Sequence, residues 1–364
     1  MRHVTHLQVP ALGTLPKTSC SQIGAALLSA MLTVTLVATF ASAALWQQFR
    51  SLEVETAERG RVQSALILTG ALDWARLILR EDARSGGADH LAEPWAVPLE
   101  EARLSSFLAV DGVASDTDQN AFLSGTITDM QSRLNIANLV DGTAKSEPEF
   151  KKFQRLFDLL DLPPQAMAGL ADNFIETAKT NFAVSPTAGA AAGPAVAGAA
   201  TASNITDFLM PQRVEQLAWL GLDARTLAAL EPHITLLPNR TPVNLNTASA
   251  LVIAASLPGL DLADAQKIVT ARSRRHFASL AEANQILGNA ALSFNDGAHS
   301  VASRYFEVRG ELRLEQLTVF ERSLVRRDGL AVSALWRVRG ASAEPRPSSL
   351  SGSRPKNTSA VLRP

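Results

Sequence analysis

The sequence predicts an α+β fold in which a long N-terminal helix, transmembrane in its first half, packs on an antiparallel sheet interrupted by a large helical insertion. Three observations carry that expectation. A run without a charged residue extends from Gly24 to about Trp46, and helical periodicity continues beyond it to about Arg84. Strand-like segments fall into two groups on either side of a helix-rich stretch.

The apolar run is long enough to cross a bilayer, because about 20 residues at ~1.5 Å each cover a hydrocarbon core of ~30 Å. It is too long for the apolar region of a cleaved signal peptide, which has about 7 to 15 residues followed by a small-residue cleavage site. Here the small residues precede the run. Residues 1–24 read as a polar leader containing Lys17, and the junction of Gly24 with Ala25, backed by Leu27, Leu28 and Met31, resembles that of a type IV prepilin. In such a leader the peptidase cuts after the glycine, which would leave the transmembrane segment, 25–46, on the mature chain. Arg2 and Lys17 favour an N-in, C-out orientation. The single Cys20 lies inside the leader, so a processed chain carries no thiol and no disulfide. A signal-anchored periplasmic binding domain is the alternative reading of this segment.

Past the membrane, Val62, Ala65, Leu66, Leu72 and Leu79 recur at helical spacings with Arg61, Asp73, Arg76, Arg80 and Glu81 mostly between them. The long helix, 25–84, is therefore expected to lie half in lipid and half on a soluble domain, the shape of a pilin. Ser85, Gly86 and Gly87 supply its stop. In the first β region, 85–145, Phe107 to Val110, Ala121 to Leu123 and Thr126 to Ile127 read as strands, broken by Asp111, Gly112 and the polar stretch Ser115 to Asn120. In the second, 301–340, Tyr305 to Val308, Glu311 to Glu321 and Ala331 to Val338 read as strands. The Ser/Pro/Arg-rich tail, 341–364, reads as disordered.

Residues 146–300 form the inserted helical domain. Phe150, Phe153, Leu156, Phe157 and Leu160 make one amphipathic face, and a second helix is expected over Gln165 to Glu176 after Pro163 and Pro164. The Ala/Gly-rich segment 183–203 lacks large apolar groups and reads as a flexible loop. Then comes an internal echo: Leu220-Gly221-Leu222-Asp223 with a helix through Leu230, and Pro258-Gly259-Leu260-Asp261 with a helix through Ala271. Each Gly permits a tight turn and each Asp suits an N-cap, the pattern of helix-hairpin-helix units; Asn246, Thr247 and Ala248 would cap the helix entering the second. Such units bind DNA through backbone amides of the turn. Lys267, Arg272, Arg274 and Arg275 fit that use, whereas Asp223 and Asp261 put a carboxylate where phosphate would sit. A membrane-anchored DNA-binding or uptake protein is thus the second function class to keep.

A formal net charge of −1 gives no global footprint for nucleic acid. The chain has no P-loop, no His-Glu-x-x-His, no Gly-x-Ser-x-Gly and six scattered histidines, so an enzyme is not expected.

The leader, the split sheet, the segment Ile127-Thr-Asp129-Met-Gln-Ser-Arg133-Leu-Asn135-Ile-Ala-Asn138-Leu139, the segment Leu236-Leu-Pro-Asn-Arg-Thr-Pro-Val243-Asn244-Leu-Asn246-Thr247-Ala248 and the closing Ser303-Arg-Tyr-Phe-Glu-Val308 together resemble the type II secretion minor pseudopilin family called general secretion pathway protein K. The resemblance covers about Gln22 to Gly340 and implies a pilin-like fold carrying an inserted helical domain. It implies cleavage after Gly24 and methylation of the new N-terminus by a prepilin peptidase, and a single-pass protein of the inner membrane with its C-terminal domain in the periplasm. It implies partnership with two other minor pseudopilins at the tip of the pseudopilus, with the major pseudopilin, with the inner-membrane secretion platform and with exported proteins. Most pilin-like proteins carry Glu at the fifth mature residue, which neutralises a neighbour's N-terminal amine within the membrane; here that residue is Ser29. A tip subunit has no earlier amine to meet.

The resemblance also raises calcium as the one cofactor to consider. The family's Asp-Trp-x-Asp-x-Asp run corresponds to Asp172-Asn-Phe-Ile-Glu-Thr, which keeps only the first Asp. Asp116, Asp118 and Asn120 match the first ligand positions of an EF-hand loop, but Ala121 replaces its Gly and Ile127 its bidentate Glu.

Overall fold

The computed structural model describes residues 23–104, 121–184, 209–288, 292–314 and 317–342. Most of the leader, the strand expected at Phe107 to Val110, the trio Asp116, Asp118 and Asn120, most of the Ala/Gly-rich loop and the tail lie outside the described residues. The chain divides into two units, 1–63 and 64–364. One helix, α1 (Ile23–Ser85), belongs partly to each.

In the first unit α1 is exposed throughout its described side chains, including Leu27, Met31, Leu36 and Phe40. It holds a stretch long and apolar enough to cross a membrane. A helix apolar on all sides has no core-facing stripe, which is what lipid rather than a domain interior requires.

In the second unit the same helix becomes one-sided. Leu68, Leu72, Ala75 and Leu79 are buried while Asp73, Trp74 and Leu77 stay exposed. The expected stripe holds for Leu72 and Leu79, but Val62 and Leu66 are exposed. The 3.6-residue period explains the second: Leu66 lies about 120° around the helix from Leu72. The helix ends where Gly86 and Gly87 take positive φ of 65° and 112°, conformations that Cβ-bearing residues avoid.

The buried stripe covers a five-stranded antiparallel sheet of β1 (Leu99–Arg103), β2 (Ala121–Asp129), β3 (Tyr305–Leu314), β4 (Leu317–Asp328) and β5 (Ala331–Ser342), in the order β1-β2-β3-β4-β5. Val308, Leu312, Val319, Val325 and Val332 meet the helix with Trp95, whose ring stands edge-on to Phe306. Two strand boundaries differ from the sequence reading. Ala121 to Leu123 and Thr126 to Ile127 are one strand, because Gly125 stays in register with Gly310 rather than turning. Glu311 to Glu321 spans the end of β3 and the start of β4, which pair with each other from Leu314↔Leu317 onward.

Everything between β2 and β3 is one insertion. Its core gathers Phe153, Leu156 and Phe157 of α2 (Glu147–Leu159), Leu170 and Phe174 of α3 (Pro164–Val184), Leu230 of α4 (Ala224–Leu230), Val252 and Ile253 of α5 (Ala250–Ser256), Ile268 of α6 (Leu262–Arg274) and Ala283 of α7 (Leu280–Leu287). Leu134, Ile136 and Leu139 also pack into this core, so the chain passes from sheet to insertion just after Asp129 rather than near residue 145. A small cluster of Met130, Leu237, Tyr305 and Leu324 joins the insertion to the sheet.

Candidate functional site: the anchor helix and a buried polar junction

The anchor helix presents no unpaired hydroxyl along its apolar run. Ser29 is exposed and its Oγ donates to the Ala26 carbonyl at 2.9 Å, and Thr33, Thr35, Thr39 and Ser42 bond back to their own helix in the same way. Such bonds satisfy a hydroxyl where water is absent, so Ser29 is a neutral, self-satisfied residue of the apolar run.

The second site is the junction of insertion and sheet. Asp129, at the end of β2, is fully buried, and its Oδ2 accepts from Thr247 Oγ1 at 2.5 Å, Ser303 Oγ at 2.6 Å and Asn244 Nδ2 at 3.0 Å, while Oδ1 accepts from the Gln131 amide at 2.7 Å. Burial pushes this carboxyl up to about 6 against the pull of those hydrogen bonds. Asn244 Nδ2 is also within hydrogen-bond reach of the Asp89 carbonyl, and the Arg304 amide donates to Gln131 Oε1 at 2.7 Å. Residues leaving the sheet and residues returning to it are thus stitched together.

The remaining asparagines of the two sequence segments act the same way. Asn138 exchanges hydrogen bonds with the Thr241 backbone at 2.9 and 3.0 Å, Asn246 with the Phe277 backbone at 2.9 Å each way, and Asn135 accepts from the Ala137 and Leu237 amides while donating to the Asn239 carbonyl. A side-chain amide matches the donor and acceptor of a peptide unit, so each serves as a local piece of ladder for backbone that has no strand partner. Asn246 and Thr247 are occupied here, and the cap of α5 is Ser249, whose Oγ accepts from the Val252 amide at 3.3 Å. This corrects the expected cap.

Beside the junction, Arg327 of β4 clasps Asp82 of α1 at 2.6 Å, together with Asp89 and the Ser303 carbonyl. Burial raises the Asp82 carboxyl above the ordinary range, helped by Glu93, and burial raises Asp89 likewise. Asp82, Asp89 and Glu93 are the one group of three acidic, His or Cys ligands among the described residues whose donor atoms come within 4.8 Å of one another, and they border a cavity of about 390 Å³. Their oxygens are already engaged: Arg327 takes two of the carboxylates, and Glu93 Oε2 accepts from the His90 amide at 2.8 Å and from Trp95 Nε1 at 2.7 Å. No spacing or motif pointed to this cluster, nor to the stacking of His90 on His276 at 3.8 Å.

Asp172, the other calcium candidate, stands exposed on continuous helix α3 and joins no ligand cluster among the described residues. Calcium takes six to eight oxygens, usually from a loop, so this position does not fit the ion.

The two glycine turns have the expected local geometry. Gly221 and Gly259 have φ of 93° and 90°, and Asp223 and Asp261 cap α4 and α6 through the Thr226 and Asp264 amides at 2.8 and 2.6 Å. The first copy enters through a 3₁₀ segment, Val214–Leu220, not an α-helix. Of the second copy's basic residues, Lys267 pairs with Asp264, Arg275 with Glu282, and Arg272 donates to the Leu245 carbonyl, where burial pushes its guanidinium down to about 10, while Arg274 stands exposed on the last turn of α6. At both turns the capping carboxylate occupies the helix N-terminal amide that a phosphate would otherwise meet.

Two family profiles, both described as Type II secretion system (T2SS), protein K, match residues 132–239 and 243–302, ranges that together fill the insertion between β2 and β3. The Type II secretion system protein K of Pseudomonas aeruginosa is 27% identical over 301 residues, covering 80% of this chain and 85% of that protein. The crystal structure of the GspK–GspI–GspJ complex from enterotoxigenic Escherichia coli contains a chain of the same fold, with a TM-score of 0.54 at 16% identity over 79% of this chain and all of that one. The family profiles, the curated relative and the solved neighbour together support the type II secretion system protein K family, and with it a minor pseudopilin, for this chain.

Proposed function

We propose that this minor pseudopilin is cut between Gly24 and Ala25 by a prepilin peptidase, methylated, and assembled through α1 with two other minor pseudopilins at the tip of the pseudopilus. There it helps start and cap a fibre that exports folded proteins across the outer membrane. It is anchored in the inner membrane by α1, with the sheet and insertion in the periplasm. The family is a structural part of a secretion apparatus, so its work is mechanical: it offers surfaces and fills space.

The observation that carries the reading is the junction around Asp129. A bulky insertion tied to the sheet by buried hydrogen bonds moves with that sheet as one head, which suits a subunit that blocks addition above it. Ser29 supports the same placement. A helix entering the membrane with no carboxylate at that position cannot neutralise a preceding subunit's amine, and a terminal subunit has none to neutralise. In the solved relative the protein is found with GspI and GspJ, the kind of pairing proposed here.

The test is the mature N-terminus by mass spectrometry after co-expression with a prepilin peptidase, in parallel with Gly24→Ala. A product beginning at methylated Ala25, lost in the variant, is expected. An intact N-terminus beside an active peptidase would overturn the processing step. Co-purification of the processed chain with two minor pseudopilins, absent when α1 is replaced by an unrelated membrane span, tests the assembly step.

A further inference from the structure

Where the insertion meets the face of the sheet opposite α1, a cleft closes over a polar cavity of about 30 Å³. From the insertion come Arg133, Arg213, Glu215, Glu231 and Thr235; from the sheet come Glu307, Arg309, Arg322 and Trp336. Three features of this lining do not explain one another by internal pairing.

First, two buried polar atoms of the lining have no hydrogen-bond partner among the described residues: Trp336 Nε1 and Thr235 Oγ1. Thr235 is 1% exposed. The indole N–H can only donate, so whatever meets it must accept. Second, the charges are uneven. Arg309 holds Glu307 at 2.5 Å, and Arg322 holds Glu215 and approaches Glu307 at 3.7 Å. Arg133 has no carboxylate within ion-pair distance among the described residues and donates only to the Glu231 carbonyl at 3.2 Å, although burial pushes its guanidinium below the ordinary value. Four arginines against three glutamates leave one positive charge in excess. Third, size is restrictive. A cavity holding one water needs about 10 to 15 Å³ of the same measure, so this one has room for about two oxygen-sized atoms.

From these we infer that the cleft is a binding site for a single carboxylate group, presented by an acidic side chain of a partner protein or by a small free carboxylate. Two oxygens match the volume; phosphate and nucleotides are too large. One negative charge matches the excess. An oxygen acceptor matches Trp336 Nε1 and Thr235 Oγ1. Arg133 supplies the guanidinium, whose fork suits a planar carboxylate better than a point cation would. An ordered water would satisfy the indole but would leave Arg133 with only the more distant charges of Glu307 and Glu231. The inference stands on the cleft alone and holds whether or not the tip placement does.

The chain has five tryptophans, so the test is resolved in five indole signals. The full-length protein, labelled with ¹⁵N-tryptophan in detergent micelles, is titrated with sodium formate at constant ionic strength against sodium chloride. The Trp336 signal is identified by its loss in Trp336→Phe, or by elimination through Phe variants of the other four if that variant does not fold. A saturable formate-specific shift of the Trp336 signal is expected, weakened about tenfold or more in Arg133→Gln, as the loss of one charge-assisted hydrogen bond requires. If the signal is already at the formate-bound position in complex with two minor pseudopilins, and formate no longer moves it, the carboxylate is the partner's. If formate still titrates the complex, the ligand is a free carboxylate. A Trp336 signal that responds to formate no more than to chloride, or equally in Arg133→Gln, means water alone fills the cavity and overturns the inference.

Discussion

Asp129 receives hydrogen bonds from Asn244, Thr247, Ser303 and the Gln131 amide in a site without solvent, so its removal strands several buried donors at once. A stranded buried donor costs about 1 to 3 kcal/mol, and the neighbours can relax toward one another only in part. Asp129→Ala is therefore expected to lower stability by ~3 kcal/mol or more, read by chemical denaturation; a loss under ~1 kcal/mol would mean that the network re-pairs without it. Its side-chain partners all lie far from Asp129 in the sequence, at spacings of 115, 118 and 174 residues. That is why composition and periodicity are silent on the junction. The two segments that build it stood out only through the family resemblance, and the reason for their asparagines becomes visible once Asn138 meets Thr241 and Asn246 meets Phe277. The arginine cleft was equally hidden, because its charges come from the start and the middle of the insertion and from two strands.

At the level of elements, the signals that were legible are local ones. The glycine stop of α1, the aspartate caps of α4 and α6 and the phenylalanine face of α2 depend on neighbours within about one turn, and each is where the sequence put it. Asp261→Ala is expected to cost about 1 kcal/mol, the usual worth of an N-cap, seen as a small fall in Tm with unchanged cooperativity. No fall would mean that the α6 N-terminus finds water as an equal partner. Illegible signals were those where a boundary lacks its customary residues. Strands β3 and β4 are separated by Glu315 and Gln316, neither of them a turn former, so alternation seemed to run straight through. The exposed Val62 and Leu66 misled for a different reason: apolar residues near a membrane-spanning segment need no soluble partner.

For the whole molecule, two buried groups set opposing responses to pH. Burial, and then the charge of Lys152, pushes the His299 imidazole down to about 3, so the unfolded chain, with its ordinary value of 6.5, takes the proton first. The stability tied to His299 is complete above about pH 6.5 and is lost as pH falls from there toward 3. Asp129 runs the other way: with its carboxyl raised from 3.8 to about 6, its contribution is complete below the lower value and lost as pH rises through the upper one. His299→Gln isolates the first. Between pH 7.5 and pH 5 the native chain is expected to lose ~2 kcal/mol more than the variant, measured by denaturant unfolding at each pH. Parallel losses would show that His299 takes up its proton without opening the fold.

The pairing of β2 with β3, from Ala121↔Leu314 to Asp129↔Phe306, carries a consequence for how such a chain came to be. These two strands are an ordinary antiparallel hairpin whose connection happens to exceed a hundred and fifty residues. Closing a loop costs entropy that grows only with the logarithm of its length, so lengthening that connection is thermodynamically inexpensive once its ends are fixed beside each other. Ancestors could have gained, swapped or shed the whole insertion at this one turn while every strand kept its neighbour and its register, which makes the hairpin tip a grafting point at which secretion systems can re-dress the same stem with different crowns.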